Sequence, residues 1–253
     1  MISRRVLLSW LGASAGASAV AAGSPLSAVT GARSANDTRV VNLESFCIAH
    51  ENHDTRIHAY LADTLLPRMG ELHNGPRLCM DAIVAPHTPQ AALLAVFSSF
   101  DEMLEVRASL ASSPRVRQAR AELESARVLA DVRSQVLVAS RESLHFPADL
   151  KSFQTGVFEM RSYDAPAWHE GPPRRIITVL RRAGIHPIVN AATAAGEHIP
   201  RFSYVIPFAS LAAREQAWTR LDADPEWIDM QRESAVTVTG KSIYKLAPYS
   251  RLG

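Results

Sequence analysis

One stretch of this chain occurs twice. Residues 97–114 align without a gap on residues 208–225, so that Phe97 pairs with Phe208, Leu110 with Leu221 and Pro114 with Pro225. A repeat on this scale restricts the fold to architectures made from two copies of one supersecondary unit. With 253 residues there is room for two units of ordinary domain size.

The segments around the repeat give the unit. In the first half, Arg39–Ile48 reads as a strand. Arg56–Met69 follows with Ile57, Tyr60, Leu61, Thr64 and Leu65 on one helical face. Strands are expected over Leu78–Val84 and Ala92–Phe97. Ser99 and Glu102 then have capping-box spacing. Leu104, Ala108 and Ala111 are expected on the inner face of that helix. A short helix starts at Ser113-Pro114, and Val132–Ala139 is a fourth strand. The second half repeats the order, with strands at 157–163, 188–195, 201–208 and 242–246. Its helices are at 172–183, 211–221 and from Asp224-Pro225 onward, and Gly184 is the expected C-cap of the first. The pattern β-α-β-β-α-β is that of a ferredoxin-like unit, with helices on one sheet face and the other face apolar and in need of cover. Two such units cover one another. The expected fold is therefore α+β, two tandem ferredoxin-like units at 39–140 and 156–250, joined by a linker at 141–155. Together they make an intramolecular dimeric α/β-barrel with a cavity between its sheets.

The first 32 residues stand apart. They contain no acidic residue, and Arg4-Arg5 precede a short Ala/Gly/Ser-rich apolar run. This reads as an export signal, and the arginine pair resembles a twin-arginine motif. The expected location is periplasmic or extracellular, with no membrane attachment after cleavage. Elsewhere no apolar run approaches the roughly 20 residues of a membrane span. The chain carries 27 Lys and Arg against 25 Asp and Glu. Removing Arg4 and Arg5 balances them, so no basic surface argues for nucleic acid. Cys47 and Cys79 fall on strands 1 and 2, which the ferredoxin-like order separates by a third. Two strand spacings exceed the roughly 7 Å reach of a disulfide, so both are expected as buried free thiols.

Four blocks of the second half, in order, resemble the NIPSNAP family. They are Phe158-Glu159-Met160-Arg161-Ser162-Tyr163, Gly184-Ile185-His186-Pro187, Phe208 to Glu215 with Trp218, and Asp224-Pro225-Glu226-Trp227. The first half matches weakly: Arg107 stands where Trp218 stands, and Val116 where Trp227 stands. It looks like a diverged copy. The resemblance implies a dimeric α/β-barrel and no agreed enzymatic activity. The wider barrel superfamily includes cofactor-free oxygenases, isomerases and haem-handling enzymes.

Candidate site residues follow from both lines of reading. Arg161 and Tyr163 alternate in phase, so they share a sheet face. If that face is the barrel interior, they are a cation and a phenol in a cavity; if it is the helix-packed face, Arg161 is a buried ion-pair partner. Arg214 either reaches the cavity or forms a surface ion pair with Glu215, with Trp218 as a core indole. His186 sits at the start of a strand. These five, Arg161, Tyr163, His186, Arg214 and Trp218, are the expected ligand contacts. His53, His58 and His73 lack metal-ligand spacing, and no metal or cofactor is expected. The expected function is binding of a small molecule between the sheets, with homo-oligomerisation open. The alternative is a cofactor-free oxygenase or isomerase acting on an aromatic or quinone-like substrate.

Overall fold

Eight strands close on themselves in the order β1-β3-β2-β8-β5-β7-β6-β4, every neighbouring pair antiparallel. The computed structural model describes residues 38–50, 54–147, 150–164, 174–196, 199, 201–233 and 237–251. The expected export segment, with Arg4 and Arg5, lies outside the described residues, as do His53 and the expected helix start at 172–173. The strands are β1 (Thr38–Ile48), β2 (Arg77–Val84), β3 (Gln90–Phe97), β4 (Leu129–Ser140), β5 (Val157–Asp164), β6 (Val189–Ala195), β7 (Arg201–Phe208) and β8 (Thr237–Leu246). The order splits into two ferredoxin-like quartets, β4-β1-β3-β2 and β8-β5-β7-β6. The β2·β8 and β4·β6 seams join them, so neither quartet keeps an open edge.

Helices cover only the outside of the barrel. The first quartet carries α1 (Asp54–Ala59), a π-helical turn (Tyr60–Leu65), α2 (Leu66–Leu72), α3 (Phe100–Ser112) and α4 (Pro114–Ser125). The second carries α5 (Arg174–Arg182), α6 (Leu211–Asp222) and α7 (Pro225–Glu233). The repeat appears as matched hardware. Ser99 and Ser210 cap α3 and α6, each accepting a backbone N–H at 3.1 Å, from Glu102 and Ala213. Pro114 and Pro225 open α4 and α7. Asp224 also accepts the N–H groups of Glu226 and Trp227, whereas the Ser113 side chain makes no cap bond. Gly184 ends α5 at φ +85°, a conformation that suits glycine.

Two local expectations are corrected. The Glu102 carboxylate does not return to Ser99; it accepts the N–H and hydroxyl of Ser98 and bonds His73 Nδ1 at 2.7 Å. The inner face of α3 is Met103 and Val106, while Leu104, Ala108 and Ala111 are exposed. The cap fixes where the helix starts but not its rotation, and the larger Met103 and Val106 fill the groove over β1 and β3.

A proline produces the π turn. Pro67 has no N–H, and its ring crowds the carbonyl four residues back, that of Asp63. The helix widens: Leu66 N–H bonds to Leu61 O, five residues back. The displaced Asp63 carbonyl accepts Arg115 Nη2 from α4 at 2.6 Å.

Three apolar cores result. One lies between the first quartet and its helices, around Phe46, Ile57, Leu61 and Phe97. A second lies between the second quartet and its helices, around Tyr163, Val179, Ile206 and Leu221. The third fills the barrel with residues from or beside all eight strands, among them Leu43, Leu78, Leu94, Leu137, Phe158, Val205 and Tyr244. Leu144, Phe146, Leu150 and Phe153 of the linker pack on this third core. The space between the sheets is thus closed by apolar side chains at the linker end.

Cys47 points into the barrel and Cys79 to the outside layer; both are free and buried. Burial pushes the Cys79 thiol well up, and Asp81 adds to the effect. Native protein is therefore expected to leave both thiols unreacted with an alkylating reagent. Denatured, unreduced protein should take up two alkyl groups by intact mass, and a linked Cys47–Cys79 peptide would contradict the strand order.

Candidate functional site

The end of the barrel away from the linker has a different lining. On the inward phase of β1, β3, β5, β7 and β8, the apolar residues give way to Ser45, Cys47, Gln90, Ser162, Ser203 and Ser242. Gln90 Nε2 donates to the Tyr244 hydroxyl at 2.9 Å and to Ser45 Oγ at 3.4 Å, and its Oε1 lies 4.0 Å from Cys47 Sγ. Ser162 and Ser203 hydroxyls face each other at 3.1 Å across the β5·β7 pair. Burial raises the Tyr244 pKa against the lowering hydrogen bonds of Ser242 and Gln90, so its phenol stays protonated. Gly240 continues the β8 face, where an added Cβ would meet only Ser162, at 3.5 Å. Gln135 Nε2 of β4 donates to Thr193 Oγ1 of β6 at 3.0 Å on the same inward phase. Small hydroxyl side chains, two amides and one phenol thus line an end where Ser45, Met160 and Gly240 retain part of their exposure. These residues are the opposite phase of the strands from the expected contacts, and no residue-type signal on any one strand marks them. Only the closed barrel brings them together.

Four of the expected site residues sit on the other side of the sheet. Glu159, fully buried, is their centre. Its Oε1 accepts Arg161 Nε at 2.6 Å and Arg214 Nη2 at 3.0 Å. Its Oε2 accepts Arg214 Nε at 2.9 Å and Trp218 Nε1 at 2.6 Å. The Arg161 guanidinium lies 3.3 Å above the Trp218 ring, a cation–π contact. Arg214 also pairs with Glu215. Tyr163, on the same face, is buried in the second helix layer with its ring edge-on to Tyr204. Arg161 is thus the buried ion-pair partner of the second alternative, and the placement of Arg161 and Tyr163 in the barrel interior is set aside. The reason is packing: the inward phase of β5 is Phe158, Met160 and Ser162. His186 is exposed in the turn before β6, apart from the other four.

Glu159 is missing from the expected set although it carries the cluster. Burial alone would raise its pKa. The Arg161 charge and the hydrogen bonds from Arg214, Arg161 and Trp218 outweigh that and hold it below the usual carboxylate range. Both carboxylate oxygens are doubly bonded, which leaves them no free position for proton transfer. The arrangement clamps α6 to β5. In the first unit Glu44 and Arg107 occupy the matching places, and a single partly exposed ion pair at 3.4 Å replaces the clamp.

Of the remaining histidines, His58 contacts Tyr249 Oη at 2.5 Å through Nδ1 and Asp54 at 3.0 Å through Nε2. His73 is buried on Glu102 and stacked on Phe97. Both tie segments together, His58 holding the C-terminal stretch against α1.

Replacing Glu159 by Gln leaves the nearly buried Arg161 without a counter-charge and Arg214 with Glu215 alone, and should cost about 3 kcal/mol in urea denaturation. Glu44→Gln should cost less than about 1 kcal/mol, since its partner is solvent-screened. The folded pKa of Glu159 is below its unfolded value, so its contribution is complete above the ordinary carboxylate pKa of about 4.3. It is lost as pH falls toward the lower folded value. The difference between wild type and Glu159→Gln should therefore shrink on acidification.

Residues 153–251 match the sequence model of the NIPSNAP family. Among solved structures, chlorite dismutase from Candidatus Nitrospira defluvii is 8% identical and superposes with a TM-score of 0.50, covering 83% of this chain and 92% of that one. A NIPSNAP family protein from Agrobacterium tumefaciens is 13% identical and covers 39% of this chain and 90% of its own, with a TM-score of 0.34. An anthrone oxidase-like protein is 8% identical over 84% of this chain and 92% of its own, with a TM-score of 0.47. No curated protein sequence matches the chain. Residues 153–251 thus carry the similarity to the NIPSNAP family, within one closed ferredoxin-like α/β-barrel.

Proposed function

We propose that this chain is an exported binding protein that takes a small, partly polar organic molecule at the hydroxyl-lined end of its barrel. One observation carries the reading: the barrel interior changes from close-packed apolar side chains at the linker end to serine, glutamine and tyrosine at the other. Buried polar groups at a barrel end orient a ligand, while the apolar layer beneath forms its floor. Gln90 and Tyr244 are the orienting groups, and the Ser162–Ser203 pair supplies two further hydroxyls.

The oxygenase or isomerase reading draws less support. It relies on Tyr163, Arg161 and His186 acting together. Tyr163 and Arg161 lie under the helices, and His186 lies on an exposed turn. At the hydroxyl-lined end the protonated Tyr244 phenol is suited to hydrogen bonding rather than to removing a proton. Assembly into homo-oligomers is part of the proposal and is read from light scattering.

Native mass spectrometry of protein recovered from the periplasm should show a non-protein mass in addition to the chain. Gly240→Val adds a side chain where a Cβ has room and narrows this end, so it should remove that mass while leaving the melting temperature within about 2 °C. Bare protein in both samples, with no melting shift against a panel of aromatic and quinone-like compounds, would overturn the reading.

A further inference from the structure

Three arginine side chains of the described ion pairs are mostly buried: Arg161 (11% exposed), Arg214 (12%) and Arg201 (15%). Glu159 satisfies the first two with hydrogen bonds between 2.6 and 3.0 Å. Arg201 donates no hydrogen bond to any described group. Its ion-pair partner is Asp164 Oδ1, 3.9 Å from Nε, the longest such contact among the described residues. At that distance the charges attract but no hydrogen bond forms. Both atoms are buried, and both lack a hydrogen-bond partner. A guanidinium and a carboxylate oxygen taken out of water without hydrogen bonds cost free energy. The pair is therefore incomplete without groups from outside the chain.

The pair stands at the hydroxyl-lined end of the barrel. Asp164 faces Arg201 in the β5·β7 register, as Ser162 faces Ser203 two residues nearer the barrel centre. Residues two apart share a sheet face, so Asp164 and Arg201 continue the inward phase of the two serines toward the mouth. The Asp164 side chain is 48% exposed, which leaves this edge of the mouth open to solvent. Asp131 and Arg133 of β4 lie on the inward phase at the same end, but a 2.8 Å hydrogen bond closes that pair. Arg201 and Asp164 have no such bond.

Their chemistry selects a ligand. A guanidinium presents parallel N–H donors that fit a carboxylate. A carboxylate oxygen accepts from an ammonium or a hydroxyl. A molecule that completes both carries an anion and a donor one carbon apart. Charge decides between the two donors. Arg201 and Asp164 sum to zero, so a zwitterion leaves the mouth neutral. An α-hydroxy acid would bring a second carboxylate against Asp164 with no cation to balance it, and like charges in contact cost affinity. The ammonium of an α-amino acid pairs with Asp164 instead. The Ser162–Ser203 and Gln90–Tyr244 pairs lie deeper, where its side chain would enter.

We propose that the barrel end takes a free α-amino acid, with its carboxylate on Arg201 and its ammonium on Asp164. The proposal rests on the reading of that end as a binding site and adds the class of ligand.

The test is calorimetric titration of the full chain with L-serine, L-leucine and L-phenylalanine. At least one should bind, and its α-hydroxy acid and its deaminated acid should bind about tenfold more weakly. Arg201→Gln should weaken the amino acid about tenfold, the worth of one charge-assisted hydrogen bond. Because Arg201 makes no hydrogen bond within the protein, that variant should keep the wild-type melting temperature. Asp164→Asn should weaken the amino acid and strengthen the deaminated acid, since the repelling charge is gone; a purely structural pair would not shift that preference. No binding of any of the three, equal binding of the deaminated acid by wild type, or an unchanged preference in Asp164→Asn would overturn the proposal. A non-protein mass that is lost in Gly240→Val but is not an amino acid would overturn this ligand while leaving the barrel-end reading in place.

Discussion

Each four-stranded sheet here has two apolar faces and helices enough for one. Everything else in the architecture follows from the need to cover the second face. A ferredoxin-like unit alone would expose a sheet face of core residues to water. Joined in one chain, the two quartets cover each other and pair their edges at the β2·β8 and β4·β6 seams. The duplication is thus a solution to a burial problem, and the filled interior is its direct consequence. The linker residues Leu144, Phe146, Leu150 and Phe153 extend that burial past the last strand residues.

Closure also decides what each strand phase means. A strand buried on both sides has period 2 but no polar face to give the period a direction. On β5, the sequence places Glu159, Arg161 and Tyr163 together and Phe158, Met160 and Ser162 together. It does not say which set faces the helices. The charged set goes outward, where Arg214 and Trp218 of α6 complete it. The order of strands and helices, the two serine caps and the free cysteines were readable because each rests on local spacing or on strand order. The rotation of α3 and the hydroxyl-lined barrel end were not. The first depends on which side chains fill a groove between strands, and the second on residues from strands far apart in the chain.

The two copies have diverged along the same structural positions. Where the second unit holds Glu159 between Arg161, Arg214 and Trp218, the first has Glu44 with Arg107 alone, and Phe46 and Met103 stand in the places of Arg161 and Arg214. The first unit seals that layer with hydrocarbon instead of a charge cluster. A saturated buried carboxylate holds α6 in one register, because each of its bonds is directional. An apolar layer tolerates sliding and rotation of the helices above it.

That difference bears on where new chemistry could arise. In the second unit, a change in the helix over β5 disturbs four coupled hydrogen bonds and leaves a buried charge behind. In the first, the helices rest on Phe46, Leu61 and Phe97, and an irregularity costs only repacking. The π turn at Tyr60–Leu65 is such an irregularity. Pro67 forces it, and Arg115 satisfies the one carbonyl it displaces. The family motifs persist in the unit that is electrostatically locked. The π turn lies in the unit held by apolar contacts, so retained sequence motifs and backbone irregularity fall in opposite halves of one barrel.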